Sequence, residues 1–232
     1  MLSSRPYSDG KRVVRVLSRT YGAIALWVNE GRGKNRRIAM WHAGAILELS
    51  GMSRKGSEGL VRFREARRTV VLDAVLMDPR RSAVVFFLCE VIEKTIPEET
   101  PHPEVHDLMA QTLLKIEESS ALGWIHAVFL GQLIRLLGIA PMNPDEVHYR
   151  SLDLQTGDWK FEVGLEKECL EMHIAEGFMS FLSLEPSVPK MWTIEDRKRL
   201  VLGQVRYLQH QLSTLREIKS YAVLEAVFDN ER

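Results

Sequence analysis

Residues 61–92 read VRFREARRTVVLDAVLMDPRRSAVVFFLCEVI, and within this stretch the chain changes its period. At its start Val61, Phe63 and Glu65 share one face and Arg62 and Arg64 the other, because side chains alternate across a strand; Phe63 points inward and the arginines face solvent. From Asp78 the pattern is helical. Asp78 is an N-cap acceptor, Pro79 loses nothing at the first helical position, and residues 82–92 (SAVVFFLCEVI) are apolar nearly all round, as expected of a helix buried on most sides. The stretch predicts an α+β chain, strands before it and helices after, with this helix at the centre of a second core.

Upstream, residues 11–17 (KRVVRVL) and 23–28 (AIALWV) are β-branched or apolar runs separated by Ser18-Arg19-Thr20-Tyr21-Gly22, where Gly22 supplies the positive φ of a tight turn. Residues 45–52 and 60–66 form a second pair of strands around a turn cluster at residues 53–57. Four short strands within about 70 residues suit a small closed or partly open barrel. Downstream, Pro103 opens a helix whose Val105, Leu108, Met109, Leu113 and Ile116 form one stripe, and residues 122–137 form another, stopped by Gly138 and Pro141. Residues 151–163 suggest a short hairpin around Gln155-Thr156-Gly157-Asp158. Helical patterns return over about residues 167–184, 193–212 and 218–228.

Across 232 residues the formal net charge is zero, but the charges are unevenly placed. Residues 1–69 carry 15 Lys+Arg against 5 Asp+Glu, leaving 16 against 26 of the chain's 31 and 31 for residues 70–232. Such asymmetry points to two domains with different tasks, the basic one facing a polyanion, or to two domains that neutralise one another. At 45% hydrophobic, with 15 Gly and 9 Pro, the chain has ample apolar material for a packed core, which excludes disorder as its main state. Cys89 and Cys169 are too few and too far apart for a zinc module or a disulfide scaffold. No apolar run approaches membrane-spanning length and the N-terminus lacks a signal-like apolar region, so the reading is a cytoplasmic protein with no membrane association.

The sharpest local feature is residues 29–37, NEGRGKNRR, where Gly31 and Gly33 loosen a backbone carrying Arg32, Lys34, Arg36 and Arg37. Four cations on a pliable loop can follow phosphates. It is not a phosphate-binding P-loop: Val28 stands where that motif needs Gly, and Asn35 where it needs Ser or Thr. Arg12, Arg15, Arg54, Lys55, Arg62, Arg64, Arg67 and Arg68 are spread over the same strands, and Tyr7, Tyr21, Trp27 and Trp41 among them are either core or base-stacking groups. Catalytic signatures are weak. His102 and His106 lack a third ligand, His126 lies in an apolar helix as a core histidine would, and adjacent acids such as Glu98-Glu99 and Glu117-Glu118 are solvated surface. The residues demand neither an enzyme nor a cofactor.

Four segments in this order, SRPYSDGKRVVRVLSRTYGAIALWVNEGRGKNRR, FREARRTVVLDAVLMDPRRSAVVFFLCEVIEKTI, LIRLLGIAP and LREIKSYAVLEAVF, resemble the RecO recombination-protein family in the form found in Bacteroidetes-like bacteria. The resemblance covers nearly the full chain. It implies an N-terminal OB-fold β-barrel over residues 1–75, basic and DNA-binding, and a C-terminal all-helical domain over residues 76–232, acidic and partner-binding. It further implies a recombination mediator, nucleoid-associated, that binds single- and double-stranded DNA, anneals strands, and with RecR promotes RecA loading onto DNA coated by single-strand-binding protein. The family's DNA-contacting basic loop falls on Arg32, Lys34, Arg36 and Arg37. Many relatives carry a four-cysteine zinc module near residues 142–170, where this chain has only Cys169, so no zinc is expected. Relatives also have an apolar strand before the SRPYSD-like turn, where only Met1 and Leu2 stand here, so a clipped first strand with an exposed sheet edge is expected. The family's pocket for the acidic tail of single-strand-binding protein is not assigned to residues, because the matching helix offers only Arg135. The rival reading is a non-catalytic scaffold whose basic loop binds an acidic protein surface.

Overall fold

The computed structural model describes residues 1–8, 10–29, 40–54, 60–142, 148–162, 168–186, 188, 191–213, 215 and 217–229. They divide into two compact units, Met1–Ser119 with Ile218–Arg232, and Ser120–Glu217. The strands of the first unit end at Arg68 and the helices begin at Asp73, and the first helices and the last pack with the strands.

In the first unit β1 (Ser3–Ser8), β2 (Lys11–Ser18) and β3 (Gly22–Asn29) form an antiparallel meander, extended through β6 (Val61–Arg62) to β5 (Ser53–Arg54). β4 (Leu47–Ser50) pairs separately with β7 (Glu65–Arg68). Val14, Val16, Ile24, Leu26, Val28, Trp41 and Val61 make one buried core, against which Leu47, Leu49, Met52, Phe63 and Ala66 pack. Two short sheets sharing a small apolar core fit an OB-like fold. The expected β2–β3 hairpin is present, and Gly22 has φ +72° at its turn, where a Cβ would strike the Thr100 carbonyl. Two expectations are corrected. The first strand is not reduced to Met1 and Leu2: Ser3–Ser8 pairs with β2 and lies at the sheet edge, although Arg5 and Pro6 hid its alternation. Residues 60–66 form no single strand, because β6 and β7 are separate and join different sheets, while the expected turn at Ser53 begins β5.

Helices complete this unit: α1 (Asp73–Met77), α2 (Pro79–Thr95), α3 (Pro103–Glu118) and α7 (Ser220–Asp229). α2 starts as its sequence predicts, with the Asp78 side chain accepting from the Arg80 amide, and buries Val84, Val85, Phe87, Leu88, Val91 and Ile92. It lies with the strands rather than at the centre of a separate core. The helix ends are fastened by side chains from neighbours. Glu117 accepts from the Ala74 and Val75 amides at 2.9 and 3.0 Å, and Glu90 accepts from the Lys219 and Ser220 amides at 3.1 and 2.8 Å, satisfying donors that open helices leave unpaired.

The second unit contains α4 (Ile125–Leu136), α5 (Met172–Phe181) and α6 (Ile194–Gln211), around buried Phe129, Leu130, Leu133, Phe178, Phe181 and Leu208. To these helices it adds a three-stranded sheet: β8 (Ser151–Asp153) pairs with β9 (Trp159–Lys160) as the expected hairpin, and with β10 (Cys169–Glu171) on its other side. α6 begins with a reciprocal cap between Thr193 and Asp196. Inside, Gln204 donates to the Ala127 carbonyl at 3.0 Å, tying α6 to α4. Burial pushes the His126 imidazole down to about 3, so it is a neutral core residue.

Candidate nucleic-acid interface

The charge imbalance of the first 69 residues is largely met inside their own unit. Counted over the compact units, Lys+Arg against Asp+Glu is 21 to 18 in the first and 10 to 13 in the second. The acids that answer the basic strands come from α2, α3 and the turn between them. Glu93 lies 2.9 Å from the Ser3 hydroxyl, 3.4 Å from Arg15 and 3.9 Å from Arg5. Arg15 also pairs with Glu98, and Arg19 meets both oxygens of Asp107 at 3.0 and 3.2 Å. The Arg19 guanidinium, together with His106, holds the Asp107 carboxyl below its usual range. Exposed pairs of this kind contribute little stability, but they decide which cations face a partner.

Arg62 and Arg64 are exposed and alternate with inward Val61 and Phe63, as the sequence predicts. The Arg64 amide bonds to the Ser50 carbonyl at 3.0 Å, and its side-chain stem lies over Gly51, which has φ +64°. Arg67 is exposed and pairs across the β4–β7 ladder with Glu48 at 2.8 Å. Arg68 alternates inward and is half-buried; burial, and secondarily the Arg68 charge, push the His42 imidazole down. Arg12 turns back on β1, its Nε 2.6 Å from the Ser4 hydroxyl. Arg54 pairs with Val61 in β5. Arg32, Lys34, Arg36, Arg37 and Lys55 lie outside the described residues.

The aromatics divide. Trp41 belongs to the core, whereas Tyr7 and Tyr21 are exposed and Trp27 is half-exposed. Tyr7 and Trp27 make a T-shaped pair, centroids 5.0 Å apart and planes at 62°, and Lys11 places Nζ 5.4 Å from the centre of the Trp27 ring. Arg5, 80% exposed at its side chain, lies in the same strand as Tyr7. Arg5 and Lys11 are functional candidates missing from the sequence reading. Period-2 alternation from Ser3 would have found Arg5, had the strand been recognised.

Among the described residues no group of three His, Cys, Asp or Glu side chains could hold a metal, and no helix is long and apolar enough to cross a membrane. The His106 ring lies 3.1 Å from the Asp107 carboxylate. What the strands offer is cationic and aromatic surface suited to binding.

Fold and surface together define an α+β protein with an OB-like, strand-built N-terminal part bearing outward cations and rings. Residues 76–172 match the family model "Recombination protein O C terminal". The chain is similar over nearly its whole length to "DNA repair protein RecO" of Azobacteroides pseudotrichonymphae, 23% identical over 96% of this chain and 94% of that one. It is likewise similar to that of Flavobacterium johnsoniae, 20% identical over 98% and 96%. The Bacteroides fragilis protein of the same name is 26% identical over 61% of this chain and 59% of its own. The chain is thus similar to RecO proteins over most of its length, Bacteroidetes members among them.

Proposed function

We propose that the chain acts in DNA repair, as a RecO-type recombination mediator whose N-terminal strands hold DNA by its backbone. The observation that carries this reading is the pair of outward arginines, Arg62 and Arg64, at β6 and the turn after it, in a strand-built unit where Arg15, Arg19 and Arg67 are bound to carboxylates. Such cations attract phosphates of any sequence by releasing condensed counterions. In this reading Arg32, Lys34, Arg36 and Arg37, which come after β3 in the sequence, supply further phosphate contacts, with Arg12, Arg54, Lys55 and Arg68 as additional charge. The role is binding of single and double strands and their annealing, not turnover, with RecR and the tail of single-strand-binding protein as partners and the nucleoid as its place. Similarity to RecO proteins along nearly the whole chain supports it.

The test replaces Arg32, Lys34, Arg36 and Arg37 by Ala and measures binding of a labelled single-stranded oligonucleotide. Loss of binding with cooperative unfolding retained is expected. Undiminished binding would overturn the assignment of the loop, and a folded wild-type protein that binds no DNA would favour the scaffold reading.

A further inference from the structure

Resting on that DNA-binding reading, we propose that Tyr7 and Trp27 form a platform on which unpaired bases stack, giving the N-terminal sheet a preference for single strands. The sheet has two faces. One covers the core through Val14, Val16, Ile24, Leu26 and Val28. On the other, the register aligns Arg5, Val13 and Trp27 in one row across β1, β2 and β3, and Ser3, Arg15 and Ala25 in the next. Glu93 of α2 meets Ser3 and Arg15 in the second row and comes within 3.9 Å of Arg5 in the first, yet the Arg5 side chain stays 80% exposed and Tyr7 is exposed as well.

Tyr7 reaches Trp27 because of a bulge. Pro6 pairs with Arg12 and Ser8 with Lys11, leaving Tyr7 as the extra residue, and an extra residue re-aims its side chain. The phenol therefore meets the indole across β2 at an interplanar angle of 62°, which fixes its orientation while 61% of the residue stays exposed. Lys11 at the Trp27 ring and Arg5 beside Tyr7 place cations within reach of the phosphates that flank a stacked base. Bases in a duplex already have both faces covered, so a ring platform rewards only unpaired ones. Arg62 and Arg64 lie outside this row, on β6 and the turn after it, and serve either form of DNA.

The experiment compares wild type, Tyr7→Ala and Tyr7→Phe for binding to a labelled oligo-dT of about 20 nucleotides and to a duplex of equal length. Tyr7→Ala should weaken single-strand binding about tenfold and leave the duplex within about twofold, and Tyr7→Phe, which keeps the ring, should restore the wild-type values. Oligo-dT should also quench indole emission in wild type and not in Trp27→Phe, a readout independent of any effect of Tyr7→Ala on folding. Equal losses on both ligands, or none, would overturn the platform while leaving DNA binding intact. Wild type that binds neither ligand would overturn the DNA-binding reading and the platform with it.

Discussion

Glu90→Gln tests how the C-terminal helix is held to α2. The Glu90 carboxylate accepts from Lys94 Nζ at 2.6 Å, from the Lys219 and Ser220 amides, and from the Ser220 hydroxyl, so one side chain caps α7 and fixes it to α2. Burial alone would raise its pKa, but these bonds hold it down at about 2 against an ordinary 4.5. That difference corresponds to roughly 3 kcal/mol at about 1.4 kcal/mol per pH unit. With 21% of the side chain in solvent, screening reduces this to about 2 kcal/mol. Because the folded-state pKa is depressed, this stability is present above about 4.5 and is lost as the pH falls toward 2. Glutamine keeps the shape and loses the charge. Urea unfolding at pH 7 should show Glu90→Gln less stable by about 2 kcal/mol, and the gap should shrink by about half at pH 3, where wild-type Glu90 begins to resemble the amide. Hydrogen exchange at pH 7 should show lost protection over residues 219–224. A gap that stays constant between pH 7 and pH 3, or no destabilisation at pH 7, would refute the reasoning.

Three further outcomes are expected. Gly22→Ala should cost about 2–4 kcal/mol in urea unfolding, since it must hold φ +72° and its Cβ meets the Thr100 backbone, whereas Gly157→Ala meets only the Tyr207 hydroxyl at 3.1 Å and should cost about 1 kcal/mol. His126 is neutral when folded, with a pKa pushed by burial to about 3 from 6.5, so its contribution is present above about 6.5 and is lost as the pH falls. Wild type should therefore lose about 2 kcal/mol more than His126→Leu between pH 7 and pH 5, measured by urea unfolding. Arg62→Ala with Arg64→Ala should flatten the logarithmic salt dependence of single-strand binding by about 1.4, at about 0.7 per phosphate contact, and change unfolding free energy by less than about 0.5 kcal/mol.

Elements with strong local signals were legible in the sequence. Asp78-Pro79 and Pro103 marked the starts of α2 and α3, and Gly22 and Gly157 marked turns, because each residue type answers a backbone requirement of its own site. β1 was missed because Arg5, Pro6 and a bulge at Tyr7 hide its alternation, and pairing with β2 supplies what local pattern lacks. β6 and β7 read as one strand because Val61 and Phe63 alternate toward Glu65, but Glu65 is exposed and Ala66 takes the inward side, so the alternation breaks where the two sheets divide. At the candidate site, the outward placement of Arg62 and Arg64 followed from the period. The commitment of Arg15 and Arg19 to Glu93, Glu98 and Asp107 did not, since those partners stand 78 to 88 residues away along the chain.

Binding of a labelled single strand at two salt concentrations tests the central claim most directly. If the N-terminal strands hold DNA through about four phosphate contacts, affinity should fall about 50-fold between about 50 and 200 mM salt. Binding that is indifferent to salt, or no binding by a protein that unfolds cooperatively, would contradict the account.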